Sequence, residues 1–274
     1  MRPLLLLGLL PLLCAAPALQ VVNPILSQMD GGAADPPNFE HTPGEVLFFS
    51  CRIANFAKTP EEKIRLSYSV QPFDPAGVPL AEIYKNEISD EVSPQDRNWM
   101  PRIATEVPIP PLVESGAYKI VVKVEDLVAH TTAQLEVPFQ VRGHAVEPSD
   151  SLAVRNFRYF RAENDLQAMD APIYHPGDTL WAKFDITGYK FGPGNKLDVS
   201  YIFSVLSASG KVLFTQPEPA GDQTESFYPK HYVPAEFSIA LQNSVKPGEY
   251  GIQVVVKDAI GNQTVESKQA FTVQ

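Results

Sequence analysis

Apolar and polar residues alternate with period two along most of this chain. Tyr118, Ile120, Val122 and Val124 interleave with Lys119, Lys123 and Glu125, and Leu180, Ala182, Phe184 and Ile186 interleave with Thr179, Lys183 and Asp185. Successive side chains of a strand point to opposite faces, so the pattern predicts strands with one face in a core and one in water. No stretch keeps a 3.6-residue apolar period over a helix's length, and 26 prolines in 274 residues leave little room for long helices. Turn residues punctuate the runs at Asp74-Pro75-Ala76-Gly77, Ser207-Ala208-Ser209-Gly210 and Asp258-Ala259-Ile260-Gly261-Asn262. The expected fold class is all-β.

The pattern is written twice. Ser115-Gly116-Ala117-Tyr118-Lys119-Ile120-Val121-Val122 returns as Pro247-Gly248-Glu249-Tyr250-Gly251-Ile252-Gln253-Val254, and Pro43-Gly44-Glu45-Val46-Leu47-Phe48 returns as Pro176-Gly177-Asp178-Thr179-Leu180-Trp181. The first copy predicts strands near 20–26, 46–56, 63–72, 79–88, 102–109, 117–126 and 131–141. The second predicts strands near 152–162, 179–189, 196–206, 211–216, 235–242, 249–258 and 263–273. Seven short strands per copy, with turns between them, predict two tandem seven-stranded immunoglobulin-like β-sandwiches. The expected domains are 19–141 and 152–274, joined by a linker at 142–151 that contains Gly143, Pro148 and Asp150.

The chain opens with Met1-Arg2, an apolar run from Leu4 to Leu13, and Ala16-Pro17-Ala18. A basic start, a short apolar core and an A-x-A site predict a secretory signal peptide over 1–18. The run is shorter than the roughly 20 residues a membrane-spanning helix needs, and no later segment is expected to span a membrane. Cys14 offers a rival reading as a lipoprotein cysteine, against which Leu13 stands where a small residue is usual. Past the leader one cysteine remains, Cys51, so no intramolecular disulfide is expected. Secreted animal domains of this size are usually stapled by disulfides, which favours a bacterial exported protein in the periplasm, at the cell surface or outside the cell. The 22 basic residues against 32 acidic ones give a formal net charge of −10. That balance disfavours nucleic acid and anionic membranes as partners.

Val256-Lys257-Asp258-Ala259-Ile260-Gly261-Asn262 resembles the strand and turn of bacterial immunoglobulin-like repeats. Pro247-Gly248-Glu249-Tyr250 and Tyr174-His175-Pro176-Gly177-Asp178 resemble fibronectin-type and macroglobulin sandwich repeats. The likeness covers both copies but rests on turn and strand residues, so it implies a fold and no activity. The first copy has Val128-Ala129-His130 in place of the Gly-Asn turn, and the thioester motif of macroglobulins is missing.

Catalytic constellations are not legible. His41, His130, His144, His175 and His231 are not spaced as metal ligands, and there is no nucleophile elbow, P-loop or dinucleotide fingerprint. Asp30, Asp35, Asp126, Asp165, Asp170, Asp222 and Asp258 are scattered rather than set in a calcium loop. No enzyme activity, cofactor or metal is expected.

Tyr118 and Tyr250 open matched strands after small-residue turns and are expected to be structural, each with its hydroxyl on backbone at a corner. Cys51 shares the inward phase of Leu47, Phe49 and Ile53 and is expected to be a buried structural residue. Binding is expected from long connections and aromatic side chains. Two connections stand out, Asn86 to Pro101 and Gln216 to Pro234. The candidates are Phe227, Tyr228, His231 and Tyr232 in the second, Trp99 in the first, and Trp181 on a strand. Trp99 aligns with Tyr232 and Phe48 with Trp181, which suits packing as well as binding. The expected function is a non-catalytic exported binding or scaffolding protein that contacts an exported or cell-surface protein, or a polysaccharide. One alternative is a periplasmic assembly chaperone, which needs a basic inter-domain cleft for which Arg142 and Arg155 are the nearby residues. The other is an accessory part of a glycan-active or proteolytic enzyme.

Overall fold

The computed structural model describes residues 17–96 and 98–274. Cys14 and all of the expected leader but Pro17 and Ala18 lie outside the described residues. The first half contains β1 (Gln20–Ser27), β2 (Glu40–His41), β3 (Val46–Ala54), β4 (Lys63–Phe73), β5 (Tyr84–Glu91), β6 (Arg102–Pro108), β7 (Gly116–Asp126) and β8 (Thr131–Val141). The second contains β9 (Ala153–Phe160), β10 (Ile173–Tyr174), β11 (Thr179–Thr187), β12 (Leu197–Ser207), β13 (Val212–Thr215), β14 (Ala220–Thr224), β15 (Val233–Ala240), β16 (Gly248–Asp258) and β17 (Gln263–Val273). The protein is all-β, and its described helical structure is one short 3-10 turn at Pro193–Asn195. Among the described residues no helix is long and apolar enough to cross a membrane.

Among the described residues the strands form four sheets, none of which mixes strands of the two halves. The first half has the orders β1-β3-β6 and β2-β8-β7-β4-β5. The second repeats them as β9-β11-β15 and β10-β17-β16-β12-β13, with β14 also on β12. One apolar cluster draws Leu47, Phe49 and Ile53 from β3 together with Ile64 and Leu66 from β4 and Ile120 and Val122 from β7. A second draws Leu180, Phe184 and Ile186 from β11 together with Val199 and Phe203 from β12 and Ile252 and Val254 from β16. Each cluster therefore joins the two sheets of one half. Fully burying one such side chain contributes about 1.5–3 kcal/mol.

The repeat extends to irregular backbone. In β1 one extra residue falls between Val22 and Ile25 opposite β3, and in β9 one falls between Arg155 and Arg158 opposite β11. Asn23 and Asn156 lie in these bulges with φ of 52° and 51°. Asparagine adopts the left-handed conformation more readily than other non-glycine residues, so the bulge has a residue suited to it in both copies. The turns after β7 and β16 are also built alike. Asp126 is fully buried, accepts the backbone N–H groups of Val128 and Ala129 on Oδ1, and accepts that of Ala57 on Oδ2. Asp258 accepts Ile260 and Gly261 on Oδ1, and Lys190 N–H with the Gln263 amide on Oδ2. A buried carboxylate thus ties each turn to the segment that follows the central strand of the facing sheet.

The Tyr118 hydroxyl donates to the Glu114 carbonyl at 2.7 Å, and the Tyr250 hydroxyl to the Lys246 carbonyl at 2.8 Å. Cys51 is 1% exposed, and burial pushes its thiol up to about 12. Three short strands were not foreseen. β2 and β10 hold two residues each, too few for a period to register, and β14 lies inside the connection expected to be a loop. β5 begins at Tyr84 rather than 79, because Pro79 offers no N–H and Leu80 turns inward to donate to the Pro72 carbonyl.

Candidate binding groove between the halves

The outward positions of β11 are Trp181, Lys183, Asp185 and Thr187. Across the sheet Trp181 stands opposite Phe160 and Ser238, and Lys183 opposite Arg158 and Glu236. The β9 bulge then brings Asn156 to Asp185, whose Oδ2 accepts the Asn156 amide at 2.8 Å. His144, in the connection between β8 and β9, places Nε2 2.7 Å from the same oxygen. The Asn156 amide also donates to the Ala145 carbonyl. His144, Asn156 and Asp185 therefore clasp the connecting segment onto the second half. The Asp185 side chain is nearly buried, while that of His144 is 53% exposed.

This clasp forms one end of a groove of about 850 Å³. Leu112 from the first half and Tyr232, Pro234 and Ala235 from the second supply apolar walls, and Arg158 and Lys183 line it beside them. The volume is within the roughly 300–1,000 Å³ usual for ligand sites. The Lys183 amine donates to the Glu163 carbonyl and lies 5.1 Å from the Phe160 ring centroid. Arg142 and Arg155, the nearby candidates for the basic cleft of the chaperone alternative, are turned to other partners: Arg142 lies 3.8 Å from Glu40 and Arg155 3.3 Å from Glu147. Arg158 and Lys183 occupy the groove in their place.

The segment richest in candidate binding residues ties the halves together. Tyr228 is 6% exposed and belongs to the apolar cluster of the first half. Its hydroxyl donates to Asp74 Oδ2 at 2.9 Å, and the other oxygen of Asp74 accepts Val78 N–H. Burial, the bond to Asp74 and nearby negative charge all push the Tyr228 phenol far above its ordinary range. The segment is fixed from the second half by the Tyr189 hydroxyl on the Lys230 carbonyl, Thr187 on the His231 carbonyl and the Asn195 amide on the Phe227 carbonyl. Tyr232 is 4% exposed and packs 5.3 Å from the His144 ring. Burial, followed by the charges of Asp185 and Glu114, raises its phenol.

Phe227 is 51% exposed, and His231 is exposed with Nε2 3.3 Å from the Tyr228 hydroxyl. Trp99, more than a third exposed, meets Phe56 edge to face at 6.1 Å and does not line the groove. Trp181 is half-buried, one row from the Arg158 and Lys183 pair. The structure thus places Tyr232 in the groove wall and Trp181 beside it, and buries Tyr228 in the joint. Sequence reasoning missed Arg158, Lys183, Asn156 and Asp185. The match of Asn23 with Asn156 was a signal for the bulge; the meeting of His144 with Asp185, 41 residues apart, had none.

Several of the scattered aspartates have structural partners. Asp30 lies 3.3 Å from Arg102, Asp222 lies 2.7 Å from Lys230, and Asp165 accepts the N–H groups of Arg161 and Ala162. Among the described residues no three His, Cys, Asp or Glu side chains converge as metal ligands.

The chain matches no family model and no curated protein. Among solved structures it is similar to the C-terminal domain of the Streptococcus pyogenes antigen I/II-family protein AspA. The identity is 11% over 92% of this chain and 99% of that one, with a TM-score of 0.29. At that score the likeness carries no argument about function.

Proposed function

We propose that this chain is an exported, non-catalytic binding protein of two immunoglobulin-like β-sandwiches, residues 19–141 and 152–274, joined by 142–151. It holds an exported or cell-surface partner in the groove between them. The observation that carries the reading is the groove itself, about 850 Å³, with walls from both halves and two cations beside apolar side chains. The export half of the reading draws on the leader pattern of Met1-Arg2, the apolar run and Ala16-Pro17-Ala18. The His144 and Asp185 pair fits a structural clasp better than a catalytic dyad, because Asn156 and the Ala145 carbonyl complete it.

The test is capture from the source organism's envelope and culture fluid on immobilised residues 19–274, with two variants in parallel. A partner retained by the native protein and by Phe227→Ala, but lost by Arg158→Glu/Lys183→Glu, supports the groove. Loss with Phe227→Ala alone moves the site to the exposed loop. A partner held equally by all three sinks both locations.

A further inference from the structure

We propose that the groove takes a carboxylate carried on an apolar body, the carboxylate lying against Arg158 and Lys183. The inference rests on the groove being the binding site. Arg158 and Lys183 face each other across β9 and β11 on one side of the sheet. Like charges set directly opposite on neighbouring strands repel, so such a pair is stable only where an anion is shared or the heads separate. The described residues pair neither cation with an acid, although Asp185 and Glu236 line the same groove. Among the described residues neither side chain makes an ion pair, and Lys183 reaches a carbonyl instead.

The two acids close at hand do not compensate. Glu236 is the register partner of Lys183 on β15, yet no ion pair forms between them. Asp185 Oδ2 is already taken by His144 and Asn156. Arg158 is exposed, and the planar fork of a guanidinium matches a carboxylate in two parallel hydrogen bonds. With Glu236 in the same groove the excess of positive charge is small, which suits a monoanion better than a polyanion. The rest of the ligand meets Leu112 and Pro234, which offer apolar surface in front of the buried Tyr232 and Ala235. The aromatic rings of the groove, Phe160, Phe184 and Tyr232, are all buried, so they present no open face on which a sugar ring could stack. The same chemistry occurs at the C-terminus of an extended apolar peptide and in a free long-chain acid.

The experiment uses residues 19–274, native and Arg158→Gln, with three probes: a dansyl-labelled apolar hexapeptide with a free C-terminal carboxylate, its C-terminal amide, and dodecanoate. Binding is read by anisotropy and calorimetry, and thermal unfolding checks that Arg158→Gln folds as the native protein does. Native protein binds the free acid about ten- to a hundredfold more tightly than the amide, and Arg158→Gln removes that difference. A peptide acid that binds where dodecanoate does not identifies a peptide terminus as the source; the reverse identifies a free acid. Equal affinity for acid and amide, acid binding unchanged in Arg158→Gln, or no binding of any probe overturns the proposal. An uncharged or uronate-bearing partner lost by Leu112→Arg leaves the groove as the site and removes only the apolar carboxylate. A captured partner indifferent to both Arg158→Glu/Lys183→Glu and Leu112→Arg removes the groove reading with it.

Discussion

The outer faces of β1-β3-β6 and β9-β11-β15 share a backbone and differ in what they leave unpaired. Phe48 and Trp181 hold matched places, as do Ser50 and Lys183, and Arg52 and Asp185. On the first face the cations are spent within the half: Arg102 pairs with Asp30, and Arg52 donates to the Met100 carbonyl. Its groove, about 540 Å³, is lined wholly by residues of the first half. On the second face Asp185 replaces Arg52 and clasps the connecting segment through Asn156 and His144, and among the described residues Arg158 and Lys183 make no ion pair. The same bulge, with the same asparagine, does structural work in one copy and shapes a junction in the other. A repeat supplies the scaffold, and the substitutions that break the repeat point to the candidate site.

The largest effect expected from that difference is at the joint. Tyr228→Ala empties a place in the first core and leaves Asp74 without its hydroxyl donor, at a cost of about 3–5 kcal/mol. Urea unfolding should then split into two transitions. Gln95, the exposed counterpart in the first copy, should change stability by less than about 0.5 kcal/mol when replaced by alanine. Next come the buried turn carboxylates. Asp126→Ala and Asp258→Ala should each cost about 2–3 kcal/mol, since each strands several backbone N–H groups. A much smaller cost at one of them would show that the turns are alike in shape only.

Alkali gives a third test. Burial pushes the Tyr118 and Tyr174 phenols up to about 12 from an ordinary value of 10.0. Above pH 10 the unfolded chain sheds these protons first, so stability is intact below pH 10 and falls as pH rises toward 12. Absorbance at 295 nm should show the buried phenols ionising only as the fold is lost. A smooth titration near 10 in the folded protein would contradict their burial. The smallest effect separates the two corner tyrosines. Tyr118→Phe should cost about 1 kcal/mol and Tyr250→Phe about half that, because only Tyr118 is fully buried.

Much of the strand order was legible because alternation and turn residues are local signals. The repeat doubled them: a run that was ambiguous in one copy could be checked against the other. The two-residue strands β2 and β10 were beyond reach, since pairing with a distant strand defines them and not a period. The candidate site was less legible. Aromatic richness drew attention to Phe227–Tyr232, but composition cannot tell a side chain that faces solvent from one that enters a neighbouring core, as Tyr228 does. Arg158 and Lys183 read as ordinary polar positions of alternating strands. Their meaning came from pairing in register across 25 residues of chain, with no ion pair to either among the described residues.

On the proposed function, binding belongs to the second face and the junction, and not to the matching face of the first half. The most direct measurement places a photo-crosslinking residue at position 48 or 181 of the chain, in separate variants, and exposes each to the source organism's envelope fraction. A specific adduct from position 181, suppressed by Arg158→Glu/Lys183→Glu, is expected, and none from position 48. An adduct from position 48 alone would contradict that placement.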